Sequence, residues 1–139
     1  MKLYTDIDGV ILGKSDTTNL PALANYVEEY LEYCLTNFDT YWLTTHCRGD
    51  VETALHYLEP YASPEIMTLL SKIKPTNFKT FKTEALSGDF IWVDDQPTAY
   101  EFMMLEQNDW LQRWYQVNTR KNKNELLTLI ESLKQLRSE

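Results

Sequence analysis

The chain has 139 residues, 43% hydrophobic and 13% aromatic, with four Gly and five Pro. That is one domain, residues 1–139, with enough apolar surface for a core, which excludes a disordered or low-complexity chain. Its 13 Lys and Arg against 21 Asp and Glu give a net charge of −8, which disfavours strong nucleic-acid binding and adhesion to anionic lipid.

Residues 2–7 read as a strand that runs into an Asp-Gly turn. Asn19-Leu20-Pro21 reads as a helix start, with Pro near the first turn. Leu23, Val27, Tyr30, Leu31, Cys34 and Leu35 follow at the spacing of one helical face. Residues 40–44 are rich in aromatic and β-branched types and predict a second strand. Short helices are expected over 50–58 and 64–73. Residues 77–81 read as a third strand or an extended loop. Residues 90–93 are apolar throughout, as in a central strand. A helix over 98–107, a fifth strand over 113–117 and a last helix over 124–136 complete the chain. Strands alternating with helices predict an α/β fold with a doubly wound parallel sheet. Such sheets place ligands at the carboxyl ends of their strands.

Residues 1–20 contain Asp6, Asp8 and Asp16 and lack the profile of a secretory signal. No run of 18 apolar residues exists, so no membrane span is expected. The expected location is cytoplasmic, with Cys34 and Cys47 as free thiols.

The residues just beyond the proposed strands carry the chemistry. Asp6, Asp8 and Gly9 follow the first, Thr44 and Thr45 the second, and Asp94 and Asp95 the fourth. Lys82 stands ahead of the fourth. Clustered carboxylates repel one another, and burial raises the cost of ionising them. A hard divalent cation such as Mg²⁺ removes that conflict, and it commonly brings a phosphate with it. One carboxylate can attack phosphorus to form an aspartyl phosphate. A second can protonate the leaving oxygen and then activate water. A hydroxyl and an ammonium can hold the remaining phosphoryl oxygens.

With these pieces in this order, the sequence resembles the haloacid dehalogenase-like (HAD) hydrolase superfamily. Leu3-Tyr4-Thr5-Asp6-Ile7-Asp8-Gly9-Val10 is similar to its first motif. Tyr41-Trp42-Leu43-Thr44 is similar to the second and Lys82 to the third. Phe90-Ile91-Trp92-Val93-Asp94-Asp95 is similar to the fourth. The resemblance implies a three-layer Rossmannoid domain with five parallel strands in the order 5-4-1-2-3. It implies a Mg²⁺-dependent phosphatase, a phosphomonoester hydrolase. Asp6 would be nucleophile and metal ligand, and Asp8 the general acid/base with its backbone carbonyl on the metal. Asp95 would bind the metal, with Asp94 as a further ligand or beside one. Thr44, or Thr45 one residue on, would bind the phosphoryl group. Lys82, or Lys79, would offset its charge.

The intervals from Asp8 to Thr44 and from Thr44 to Lys82 are too short for the separate cap domain of larger relatives. An uncapped site suits a macromolecular or bulky phosphorylated substrate. The alternative function is a binding or regulatory module that keeps the metal site without catalysis, although a pure binder has no need of an acid at Asp8. A phosphorelay receiver is disfavoured, because its acids and lysine are distributed differently along the strands.

Other features have plainer readings. His46, Cys47, His56 and Cys34 are too scattered for a zinc site. Arg48-Gly49-Asp50 reads as a turn and helix cap, with His46 and Arg48 close enough to the rim to touch substrate. Asp6-x-Asp8-Gly9 fails as a calcium loop, because Val10 and Thr17 occupy ligand positions. Trp42 and Trp92 are expected in the core.

Overall fold

The computed structural model describes residues 1–138. Four parallel strands form the central sheet: β1 (Lys2–Thr5), β4 (Asp39–Trp42), β5 (Phe90–Asp94) and β6 (Trp114–Gln116). Their spatial order is β4-β1-β5-β6. A separate antiparallel hairpin joins β2 (Leu12–Lys14) to β3 (Pro21–Leu23). Five α-helices accompany them: α1 (Val27–Asn37), α2 (Glu52–Leu58), α3 (Pro64–Leu70), α4 (Ala99–Gln107) and α5 (Glu125–Ser138). The architecture is α/β and broadly Rossmann-like.

Alternation along the strands sorts the core into two layers. Leu3, Trp42, Ile91 and Val93 pack with the apolar faces of α1, α2, α3 and α5. Tyr4, Phe90 and Trp92 pack on the other face with Leu105 of α4 and with Phe78 and Leu86. Trp42 and Trp92 are fully buried, as their place in the strands predicts. Trp110 and Trp114 are only partly buried against the second layer.

Two expectations fail. The sheet has four strands, not five in the order 5-4-1-2-3, because residues 77–81 form no strand. The backbone N–H groups of Lys79, Thr80 and Phe81 all donate to the Glu84 carboxylate, so they have nothing left for a ladder. At β4's outer edge the chain makes a single parallel bridge, Lys74 with Tyr41. Pro75 follows at once, and without an N–H it cannot extend the ladder. The four strands that do form occupy the neighbour relations expected of them.

The second failure is the helix start at Asn19-Leu20-Pro21. Ser15 N–H donates to Leu20 O and Asn19 turns with φ 59°, closing the hairpin and making Pro21–Leu23 its second strand. Helix α1 begins only after Tyr26, which sits at φ 68°. From Val27 onward the helical spacing holds: Val27, Tyr30, Leu31 and Cys34 are buried. Between β1 and α1 stands only this hairpin, and between β4 and β5 only short helices and turns, so neither interval forms a cap domain. No helix of the described residues is long and apolar enough to cross a membrane.

Candidate active site at the carboxyl rim of the sheet

Strand register sets the site. Thr5 of β1 is paired with Val93 of β5, so Asp6, just beyond β1, and Asp94, the last residue of β5, stand side by side at the end of the sheet. Asp6 N–H donates to Val93 O at 3.0 Å and pins the turn there. One carboxylate oxygen each from Asp6, Asp94 and Asp95 lie within 4.8 Å of one another. Asp94 and Asp6 are almost fully buried, and Asp95 is partly exposed. Gly9 makes room for this group. A Cβ there would stand 2.5 Å from Asp95 Oδ2, and its φ of +80° disfavours any side chain.

Lys82 reaches the same cluster. Its Nζ lies 2.7 Å from Asp94 Oδ2 and 3.3 Å from Asp6 Oδ2, with little exposure on any of the three. Lys79, the alternative, is exposed and makes no contact with these acids. Lys82 is placed by a residue that the sequence reading passed over. Glu101 of α4 is buried, and its carboxylate accepts from Lys82 N–H at 2.6 Å and from Thr98 N–H at 2.9 Å. Thr98 accepts in return from Glu101 N–H, which completes a capping box. The Thr98-x-x-Glu101 spacing was the available signal.

The electrostatics follow from two buried acids sharing one ammonium. Burial, then the charge of Asp6, pushes the Asp94 carboxyl up to about 9. Burial also raises Asp6, against the pull of Lys82. For Lys82, burial works to lower its pKa, but Asp6 and Asp94 outweigh it and hold the ammonium charged above its ordinary range. An all-oxygen set with more negative charge than its cation balances fits a hard divalent cation. Asp6, Asp94 and Asp95 could hold one.

Asp8 stands outside this three-carboxylate group and has partners of its own. Tyr57 O–H donates to its Oδ1 at 2.6 Å, and His46 Nε2 lies 2.9 Å from its Oδ2. The acceptor carboxylate selects the tautomer with hydrogen on Nε2. The His46 and Tyr57 rings stack with centroids 3.8 Å apart. Burial tends to raise the Asp8 pKa, but these hydrogen bonds outweigh it and hold the carboxyl below its usual range. Across the opening, Arg120 stands 3.8 Å from Asp8 and 3.7 Å from Asp95.

Thr44 is buried beyond the end of β4, and its Oγ1 accepts from His46 N–H at 3.3 Å. Thr45 faces solvent. His46 does reach the rim, whereas Arg48 turns away to Lys79 O and the Phe78 ring. Nothing in the sequence marked Tyr57 or Arg120, because both reach the site from distant elements with no motif around them. No family model matches this chain, and neither a curated protein nor a solved structure matches it.

Proposed function

We propose that the protein is a Mg²⁺-dependent phosphatase that hydrolyses phosphomonoesters through an aspartyl phosphate on Asp6. The observation that carries this reading is the convergence of Asp6, Asp94, Asp95 and Lys82 at the carboxyl ends of two neighbouring parallel strands. Mg²⁺ on Asp6, Asp94 and Asp95, with the Asp8 carbonyl, would neutralise phosphoryl charge and orient the ester.

The chain's own residues do the rest. In the enzyme form whose Asp8 carries a proton, an Asp6 oxygen attacks phosphorus, the bond to the ester oxygen breaks, and that oxygen takes the Asp8 proton. Asp8 then removes a proton from water, which attacks the acyl phosphate and returns Asp6 and inorganic phosphate. Lys82 stabilises the charge on the phosphoryl oxygens beside Asp6, and the Thr44 hydroxyl holds another of them. Tyr57 and His46 orient Asp8. The absence of a cap over the rim supports a bulky or macromolecular phosphorylated substrate.

Hydrolysis of p-nitrophenyl phosphate with Mg²⁺ or with a chelator tests this. Turnover should require Mg²⁺ and vanish in Asp6→Asn. Asp8→Asn should be slower by about 10²–10⁴, with phosphate trapped on Asp6 by borohydride reduction. A wild-type rate in Asp6→Asn, or label on another residue, would refute the assignment. Mg²⁺ binding without turnover would leave a binding module instead.

A further inference from the structure

A cleft of about 90 Å³ opens beside Asp8, between the β2–β3 hairpin and the loop that follows β6. Its walls include Lys14, Asn19, Tyr57 and Arg120 as well as Asp8. At about 30 Å³ per water, it has room for about three waters, or a group of a few heavy atoms.

Both cations are set in place by one backbone contact. A Cβ at Gly13 would lie 2.6 Å from Thr119 O, so only glycine lets β2 press this closely on the loop. Lys14 and Arg120 are the residues immediately after Gly13 and Thr119, so the contact delivers them to the same cleft. The loop itself is anchored. Thr119 is buried, its N–H donates to Gly9 O at 2.8 Å, and Arg120 N–H donates to Asn118 Oδ1.

Neither cationic side chain donates a hydrogen bond there. The Lys14 side chain is exposed and makes no ion pair or hydrogen bond among the described residues. The Arg120 guanidinium lies 3.7 and 3.8 Å from Asp95 and Asp8, outside the 2.7–2.9 Å of a charge-assisted hydrogen bond. Asp8 already accepts short bonds from Tyr57 and His46, so Arg120 is not its principal partner. Two under-used cations meet at one mouth in a chain of net charge −8.

The geometry points to an anion subsite: Lys14 and Arg120 bind a second anionic group of the substrate, a carboxylate or a second phosphate, on the leaving-group side of the scissile phosphoryl. The substrate class is then a phosphomonoester with a second anion a few atoms from the ester oxygen. This rests on the phosphatase reading for the position of the phosphoryl group, so the test separates binding from turnover.

Calorimetric titration with phosphonoacetate and with ethylphosphonate, both inert to hydrolysis, in the presence of Mg²⁺ compares one anion with two. Phosphonoacetate should bind at least tenfold more tightly to the wild type. That preference should fall toward unity in Lys14→Gln and in Arg120→Gln, both surface changes that leave the core untouched. Equal wild-type affinities, or a preference kept in both variants, would overturn the subsite. Hydrolysis of p-nitrophenyl phosphate by the wild type reports on the phosphatase reading alone. Selective binding without any turnover would support the subsite and reject the phosphatase.

Discussion

Replacing Asp94 with Asn should stabilise the metal-free protein at neutral pH. Asp94 and Asp6 are buried and share Lys82, so ionising both would leave one negative charge without a partner. Burial, then Asp6, raises the Asp94 carboxyl from 3.8 to about 9. Between those values the folded state holds a proton that the unfolded chain releases. The penalty is therefore absent below pH 4 and grows as pH rises toward 9, the direction linkage requires for a raised acid. At pH 7 the displacement from 3.8 spans about three units, which at about 1.4 kcal/mol each sets a ceiling near 4 kcal/mol. Asn keeps an oxygen for Gln96 N–H but weakens the 2.7 Å bond from Lys82, a loss of about 1.5–3 kcal/mol for a charged hydrogen bond. The net gain should be about 1–2 kcal/mol at pH 7, larger at pH 8, and reversed in sign at pH 4.5. Urea unfolding in chelator at the three pH values measures it. Saturating Mg²⁺ should then reverse the order at neutral pH, because it stabilises a wild type that binds it more tightly than the variant does. A variant less stable than wild type by a constant amount at every pH would show that Asp94 carries no ionisation penalty.

Three further outcomes follow from the same geometry. Gly9→Ala should lose about 1–3 kcal/mol and weaken Mg²⁺ binding, because its Cβ meets Asp95 at 2.5 Å in a left-handed backbone; denaturant midpoints and calorimetry check both. Glu101→Gln replaces one of the two oxygens that receive Lys82 and Thr98 N–H, so it should cost about 1–3 kcal/mol by leaving a buried donor unpaired; an unchanged midpoint would contradict this. Cys34 is buried, and burial pushes its thiol well above the usual range; it should resist alkylation in the folded protein and react in denaturant, as mass spectrometry would detect.

The strands and most helices were legible because their signals are local. The apolar run at 90–93 and the spacing of Val27, Tyr30, Leu31 and Cys34 are properties of consecutive residues, and both elements form as expected. The acids of the candidate site were legible for the same reason: Asp6 and Asp94 each end a strand, and pairing in register aligns them. What failed depended on competition that the sequence does not display. Pro21 suits a helix start as well as it suits an edge strand, and the hairpin contact with Leu12–Lys14 decided between them. Residues 77–81 have strand-like composition, but Glu84 captures their N–H groups first. The partners of Asp8 were hidden for a third reason. Tyr57 and Arg120 arrive from α2 and from the loop beyond β6, and their meeting is a property of the tertiary fold alone.

The single bridge at Lys74 has a consequence for how copies of this protein meet one another. A parallel sheet that ends on β4 would ordinarily offer its outer backbone groups as a template for a foreign strand. Here Lys74 N–H donates to Thr40 O, Trp42 N–H donates to Lys74 O, and the Thr76 hydroxyl donates to Trp42 O. The Lys74 ammonium pairs with Asp39 and lies over the Tyr41 ring. A few residues of irregular chain thus fill the edge with hydrogen bonds and place a charge pair on it, so an incoming strand would have to displace them before it could add to the sheet. Where a fifth strand would have moved the open border outward by one, Pro75 ends the ladder, and the outer groups of β4 are taken up at small cost in chain length.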